Sequence, residues 1–241
     1  MASSRQAEVI QAELESLANR DDAWQLARFF KTGPGEYGEG DRFLGIRAPA
    51  LESVARCHRD VELGVLAELL EGTFHEERMV ALRILRNRYR RARSDRERRQ
   101  LARFYLDHPD GVDNWDLVDI SAPWLLGGEL SRGRLVGTVR RMASSPDLWI
   151  RRQAVVATLG PVREGQLDPA LEICAVLVPD HEDLIQKASG WVLREVGKRD
   201  RGSLTGFLDR HGTEMGRTAV RYSIERLPEG QRQHYLRVTR A

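Results

Sequence analysis

The feature that most constrains this chain is the spacing of its apolar residues, which recur at helical intervals almost from end to end. "EVIQAELESLA" spaces Val9, Ile10, Leu14 and Leu17 at helix intervals, with steps of four and three after the adjacent first pair. "HEERMVALRILRNRYRRA" carries Met79, Leu82 and Leu85 on one stripe. Start signals precede several such runs. The acids of "DDAWQLARFF" suit a helix N-terminus, Pro49 falls where a missing N–H costs nothing, Ser94 has the chemistry of a cap, and "SPDLWIRRQAVVATL" opens on Ser, Pro and Asp. Period-2 alternation bounded by hairpin turns is missing, so strands are few or absent. The expected class is all-α. Helices coming roughly two per ~40 residues fit stacked antiparallel pairs of the HEAT-like or armadillo-like α-solenoid. A four-helix bundle would need fewer, longer helices. A solenoid of this kind presents a concave groove lined by one helix of each pair.

One stretch breaks the pattern. "KTGPGEYGEGDRFLGIRAP" holds five glycines and two prolines, so a glycine-rich loop (31–47) is expected inside a single domain spanning 1–241. It lacks the GK[ST] ending of a phosphate-cradling loop. Phe43, Leu44 and Ile46 are apolar enough to anchor its far end. Gly190, in the interior of "DLIQKASGWVLREVGKR", costs its helix about 1 kcal/mol relative to alanine, which implies a close approach by backbone or ligand.

Charge and cysteine content narrow the classes. The formal net charge is only +2, but the positive charge is mostly arginine, the side chain suited to a two-pronged grip on phosphate. Cys57 and Cys174 stand far apart and form no CxxC pair, so neither a disulfide framework nor a structural zinc site is expected, and no metal or cofactor. No run reaches membrane-spanning length, and the amino-terminal residues read as amphipathic helix rather than as a signal core. The expectation is a cytoplasmic, nucleoid-associated protein. No nucleophile motif appears, and the six histidines are most simply surface or capping residues. The run Arg83, Arg86, Arg88, Arg90, Arg91 and Arg93 reads mainly as a solvated outer face, diluted by Asp95, Glu97 and Asp107.

Three segments stand out. Each puts a tryptophan three or four residues from a charged group, on a shared helix face: Trp115 with Asp119, Trp149 with Arg152, and Trp191 with Lys187 and Arg194. Periodicity alone leaves core packing with snorkelling cations the simpler reading of all three. The segments "FLGIRAP", "NWDLVDISAP", "LWIRRQA" and "IQKASGWVLRE", in that order, change the weighting. With them the chain resembles the AlkD family of HEAT-repeat alkylpurine DNA glycosylases, from about Trp24 to Arg194.

The resemblance implies roles. Trp115 and Asp119 match the aromatic and the acid of that family's catalytic helix, Trp191 its second cleft tryptophan, and Arg152 its active-site arginine. Related noncatalytic members lack parts of this set, which this sequence keeps. Arg47 occupies a position near DNA, and Lys187 is a further candidate phosphate contact. The implied partner is double-stranded DNA containing alkylated purines, engaged by a monomer without base flipping, in a site that tolerates bulky adducts.

The chemistry suits these residue types. Alkylation at N3 or N7 leaves a cationic base, already a good leaving group. The sugar then gains oxocarbenium character, which a carboxylate stabilises. Two unit charges ~4 Å apart at an effective dielectric near 20 attract by about 4 kcal/mol, equivalent to roughly a thousandfold in rate if realised only in the transition state. Indole faces attract the same cation by ~0.5–2 kcal/mol. Two other readings carry the same groove: a noncatalytic HEAT-repeat binder of distorted or alkylated DNA, and a protein-interaction scaffold.

Overall fold

The computed structural model describes residues 2–238. The chain is all-helical: α1 (Ala2–Ser16), α2 (Arg20–Phe29), α3 (Ala48–Cys57), α4 (Leu63–Leu70), α5 (His75–Arg91), α6 (Asp95–Asp107), α7 (Trp115–Leu130), α8 (Val136–Ala143), α9 (Leu148–Ala157), α10 (Leu159–Arg163), α11 (Asp168–Val176), α12 (Asp183–Arg199), α13 (Arg201–His211), α14 (Arg217–Ser223) and α15 (Glu229–Val238). The one β-type pairing among the described residues is an isolated bridge between Arg42 and Phe74. Helices pack on their near neighbours in sequence, α4 on α5, α8 on α9 and α11 on α12, the helix-pair construction of an α-solenoid. No described helix is long and apolar enough to cross a membrane.

The helices start where local chemistry directs. Asn19 accepts from the Asp21 and Asp22 N–H groups at the head of α2. Ser94 caps α6 through the Glu97 N–H, and Asp147 caps α9 through Trp149 and Ile150. Most apolar stripes sort as the period requires, but those of α1 and α2 depart from it. Ile10 and Leu14 are fully buried on α1, whereas Val9 and Leu17 face solvent, so that stripe is narrower than the sequence pattern suggests.

The chain packs as two compact units, Met1–Ser121 and Ala122–Ala241, and the boundary falls inside α7. The core of the first unit is built on Ile10, Leu14, Leu66, Leu69, Leu82, Leu85 and Leu101. That of the second gathers Val139, Val155, Val156, Ile185, Val192, Val196 and Val220. In the second unit α12 lies closest to α14. A Cβ on Gly190 would stand 2.5 Å from the Ala219 carbonyl oxygen and 2.5 Å from the Tyr222 Cβ, so the close approach expected at this glycine is the backbone of α14.

Candidate active site

In the first unit, α7 begins at Trp115 and places Asp119 one turn later, both half-buried. Pro123 sits four residues beyond Asp119, inside the helix. A proline has no N–H, so the bond that position 123 would make to the Asp119 carbonyl is removed and the ring crowds that carbonyl. The acid therefore lies at a break in the helical ladder. Nearby, burial pushes the Tyr105 hydroxyl far above its ordinary range, and the charge of Asp119 adds to the effect. Ser121 ties the same turn down by donating to the Leu117 carbonyl at 2.5 Å.

Trp115 is held by rings. It stacks on Phe30 at 5.1 Å between centroids and meets Phe29 edge-on at 5.9 Å. Phe30 stacks in turn on Phe43, and Phe43 on His75 at 4.6 Å. Such pairs add about 0.5–1.5 kcal/mol each beyond their burial, so the indole orientation is fixed by packing.

His75 departs from the expectation of a surface or capping histidine. It is buried at the start of α5, with Nδ1 2.8 Å from Asp41 and Nε2 3.0 Å from Asp116. Ionised carboxylates only accept, so both ring nitrogens must carry protons. Burial opposes the imidazolium, but the bonds and charges of Asp116 and Asp41 outweigh it and raise the pKa to about 9. Burial would likewise raise the Asp41 carboxyl, yet His75 and Arg78 together hold it below the usual range. Asp41 also accepts from Arg78 at 2.6 Å and from the Asn114 amide at 3.1 Å, and the Asn114 oxygen accepts the Trp115 N–H at 2.8 Å. One charged network thus joins the loop, the head of α5 and the head of α7.

The far end of the glycine-rich loop is anchored as expected, with Leu44 and Ile46 buried. A second device reinforces the anchor. The Glu76 carboxylate, 1 % exposed, accepts the N–H groups of Leu44, Gly45 and Ile46 at 2.9, 2.8 and 3.2 Å. Gly45 has φ +83°, and a Cβ there would collide with the Asn19 carbonyl and come 2.5 Å from the Ala23 nitrogen. Arg47, 81 % exposed, donates through Nε and Nη2 to Asp22, at 3.0 and 3.3 Å. Of the arginine run, Arg83 and Arg86 turn inward onto Glu52, at 2.7 and 3.0 Å, whereas Arg90, Arg91 and Arg93 are exposed.

The remaining candidates lie in the second unit, on helices that pack together. Arg152 on α9 is 5 % exposed, and its Nη1 donates to the Leu184 carbonyl at the head of α12, at 2.6 Å. Its neighbour Arg151 pairs with Asp180 at 2.7 Å. Lys187 stands one turn further along α12, its Nζ 2.6 Å from Asp183. Trp191 is half-buried a turn later, beside Gly190.

Sequence reasoning did not find His75, Asp41 or Glu76. The only local hint was an acid pair directly after a histidine at a helix start.

A family model described as "DNA alkylation repair enzyme" matches residues 10–227. Among solved structures, a "predicted DNA alkylation repair enzyme" from Enterococcus faecalis is 19% identical, with a TM-score of 0.68 over 88% of this chain and 97% of that one. That likeness concerns the fold. No curated protein matches the chain.

Proposed function

The chain belongs to the DNA alkylation repair enzyme family, and from that premise we propose that it hydrolyses the N-glycosidic bond of cationic N3- or N7-alkylated purines in duplex DNA without base flipping. The observation that carries this reading is the pair on α7: a half-buried acid, Asp119, one turn from an indole locked against Phe30. Asp119 is assigned the oxocarbenium-like sugar, stabilising its charge and orienting the attacking water. Trp115 and Trp191 offer indole faces to the cationic nucleotide. Arg152 is assigned a backbone phosphate, since a permanent cation against the sugar would oppose the reaction. Lys187 and Arg47 are assigned further phosphates, each releasing its own acid, Asp183 or Asp22, to do so. The proposed reaction is monofunctional, uses water, and calls on no metal or cofactor. It is carried out by a monomer, in the nucleoid.

The test is release of 7-methylguanine from a methylated duplex oligonucleotide. Asp119→Asn should lower single-turnover release by about 10²–10³-fold, the range reached when one electrostatic group at a reacting centre is removed, with duplex binding retained. Equal release by wild type and variant removes Asp119 from the mechanism. Duplex binding with no release by wild type at any concentration favours the noncatalytic binder instead.

A further inference from the structure

The buried His75 takes no part in the proposed chemistry, but it holds the start of the helix that does. At the head of α7, Trp115 donates its N–H to the Asn114 oxygen and Leu117 donates its own to the Asp116 Oδ1, both at 2.8 Å. Each accepting side chain is tied back to the same imidazole ring. Asp116 offers its other oxygen to Nε2 at 3.0 Å. Asn114, fully buried, donates its amide to the Asp41 Oδ2 at 3.1 Å, and that same oxygen faces Nδ1 at 2.8 Å. A second route runs through rings. His75 lies 5.1 Å from Phe30 between centroids, and Phe30 stacks on Trp115. Asp119 follows Trp115 by one turn, so whatever sets the first turn of α7 sets both members of the pair.

Only the doubly protonated ring serves both sides. A neutral imidazole keeps one donor, and the other nitrogen would then turn a lone pair towards a carboxylate. Asp41 from the loop and Asp116 from α7 face the ring directly. Arg78, on the same helix as His75, pairs with Asp41 at 2.6 Å and with Asp113 at 3.2 Å. From α2 and the loop come the uncharged rings of Phe30 and Phe43. With the imidazolium proton gone, Arg78 is left to answer Asp41, Asp113 and Asp116.

We propose that His75 is a positioning residue for the α7 site: by bridging Asp41 and Asp116 it fixes the first turn of the helix, and with it the angle at which Trp115 and Asp119 meet the nucleotide. The inference rests on the glycosylase reading for the reaction, and on the network alone for the positioning. The protonated ring is the working form, so base release falls as pH rises through about 9.

The experiment measures single-turnover release of 7-methylguanine at saturating enzyme from pH 7.5 to pH 10, with helicity checked by circular dichroism at each pH. Ionisation of the substrate is common to every protein, so the ratio of variant to wild type is read. His75→Gln offers one donor and no charge, and should be slower by about tenfold or more at pH 7.5, since a small misplacement suffices for such a loss. Its deficit should shrink by about tenfold towards pH 10, where wild type has itself lost the proton. His75→Arg supplies a permanent cation with several donors. It should stay within about threefold of wild type at pH 7.5 and gain about tenfold on it by pH 10. Ratios that stay constant with pH in both variants overturn the positioning role, because a deficit from weakened folding does not follow that proton. If wild type releases no base, the glycosylase reading has failed, and Trp115 itself decides the positioning. In protein labelled with 5-fluorotryptophan, with the Trp115 resonance assigned by its loss in Trp115→Phe, that signal should titrate near pH 9 in wild type and not in His75→Arg. A Trp115 signal that ignores pH over the same range overturns the proposal.

Discussion

His75 sets the terms at the scale of single residues. Its folded pKa of about 9 lies above the unfolded value near 6.5. The stability it contributes is therefore full below pH 6.5 and is lost as pH rises through about 9. Over that window the loss is on the order of 3 kcal/mol. Thermal denaturation followed by circular dichroism should show the wild-type midpoint falling between pH 7 and pH 10, and His75→Gln should show a flatter profile. Parallel profiles would mean that the imidazolium is not what ties Asp41 to Asp116. That Trp115 and Asp119 share a helix face was legible in the sequence because one helical turn separates them, whereas spacing alone favoured core packing and a role for the pair came only with the family resemblance. His75 and its partners were not, because Asp41 and Asp116 lie 34 and 41 residues away from it, and no local pattern encodes such a meeting. Glu76 was hidden for the same reason: "HEER" reads as an ordinary charged helix start, and the N–H groups it satisfies come from 30 to 32 residues earlier.

At the scale of the element, α12 shows how propensity and packing compete. Alanine at position 190 would favour the helix by about 1 kcal/mol, yet its Cβ would meet the α14 backbone, which cannot yield as a flexible side chain would. Overpacking of this kind typically costs 1–3 kcal/mol, so Gly190→Ala is expected to destabilise the protein by up to about 2 kcal/mol net, read from urea denaturation. A neutral or stabilising result would show that α14 can back away. This glycine was legible as a point of close approach, although the sequence left open whether backbone or ligand came near. The starts at Ser94 and Asp147 were likewise legible, since Ser and Asp caps act through residues two or three positions on, whereas the Asn19 cap of α2 was not read. What escaped was that no residue of α2 is fully buried. Its apolar spacing is that of a packed helix, and an apolar face looks the same in sequence whether it is wholly or partly covered.

At the scale of the whole molecule, the division into two compact units falls between Ser121 and Ala122, within the span of α7. Neither unit can be excised without cutting the helix that carries Trp115 and Asp119. Expressed alone, residues 1–121 or 122–241 are each expected to lose cooperative thermal unfolding and much of their helicity, while the intact chain melts in one transition. Two independent transitions in the full chain would overturn the single-domain reading. The solenoid class was legible because helical period runs almost throughout, whereas the break inside α7 has no signature beyond Pro123. The anchoring of the glycine-rich segment has a practical corollary. Glu76 and Gly45 clamp its carboxyl-terminal end, and Asp41 locks it to α5, while the tip at 33–37 bonds to Glu36, Glu39 and Phe29. A fluorophore or short peptide tag spliced at Gly35 would ride outside the clamp, giving a reporter position whose route to the indole stack runs through the Tyr37–Phe29 hydrogen bond.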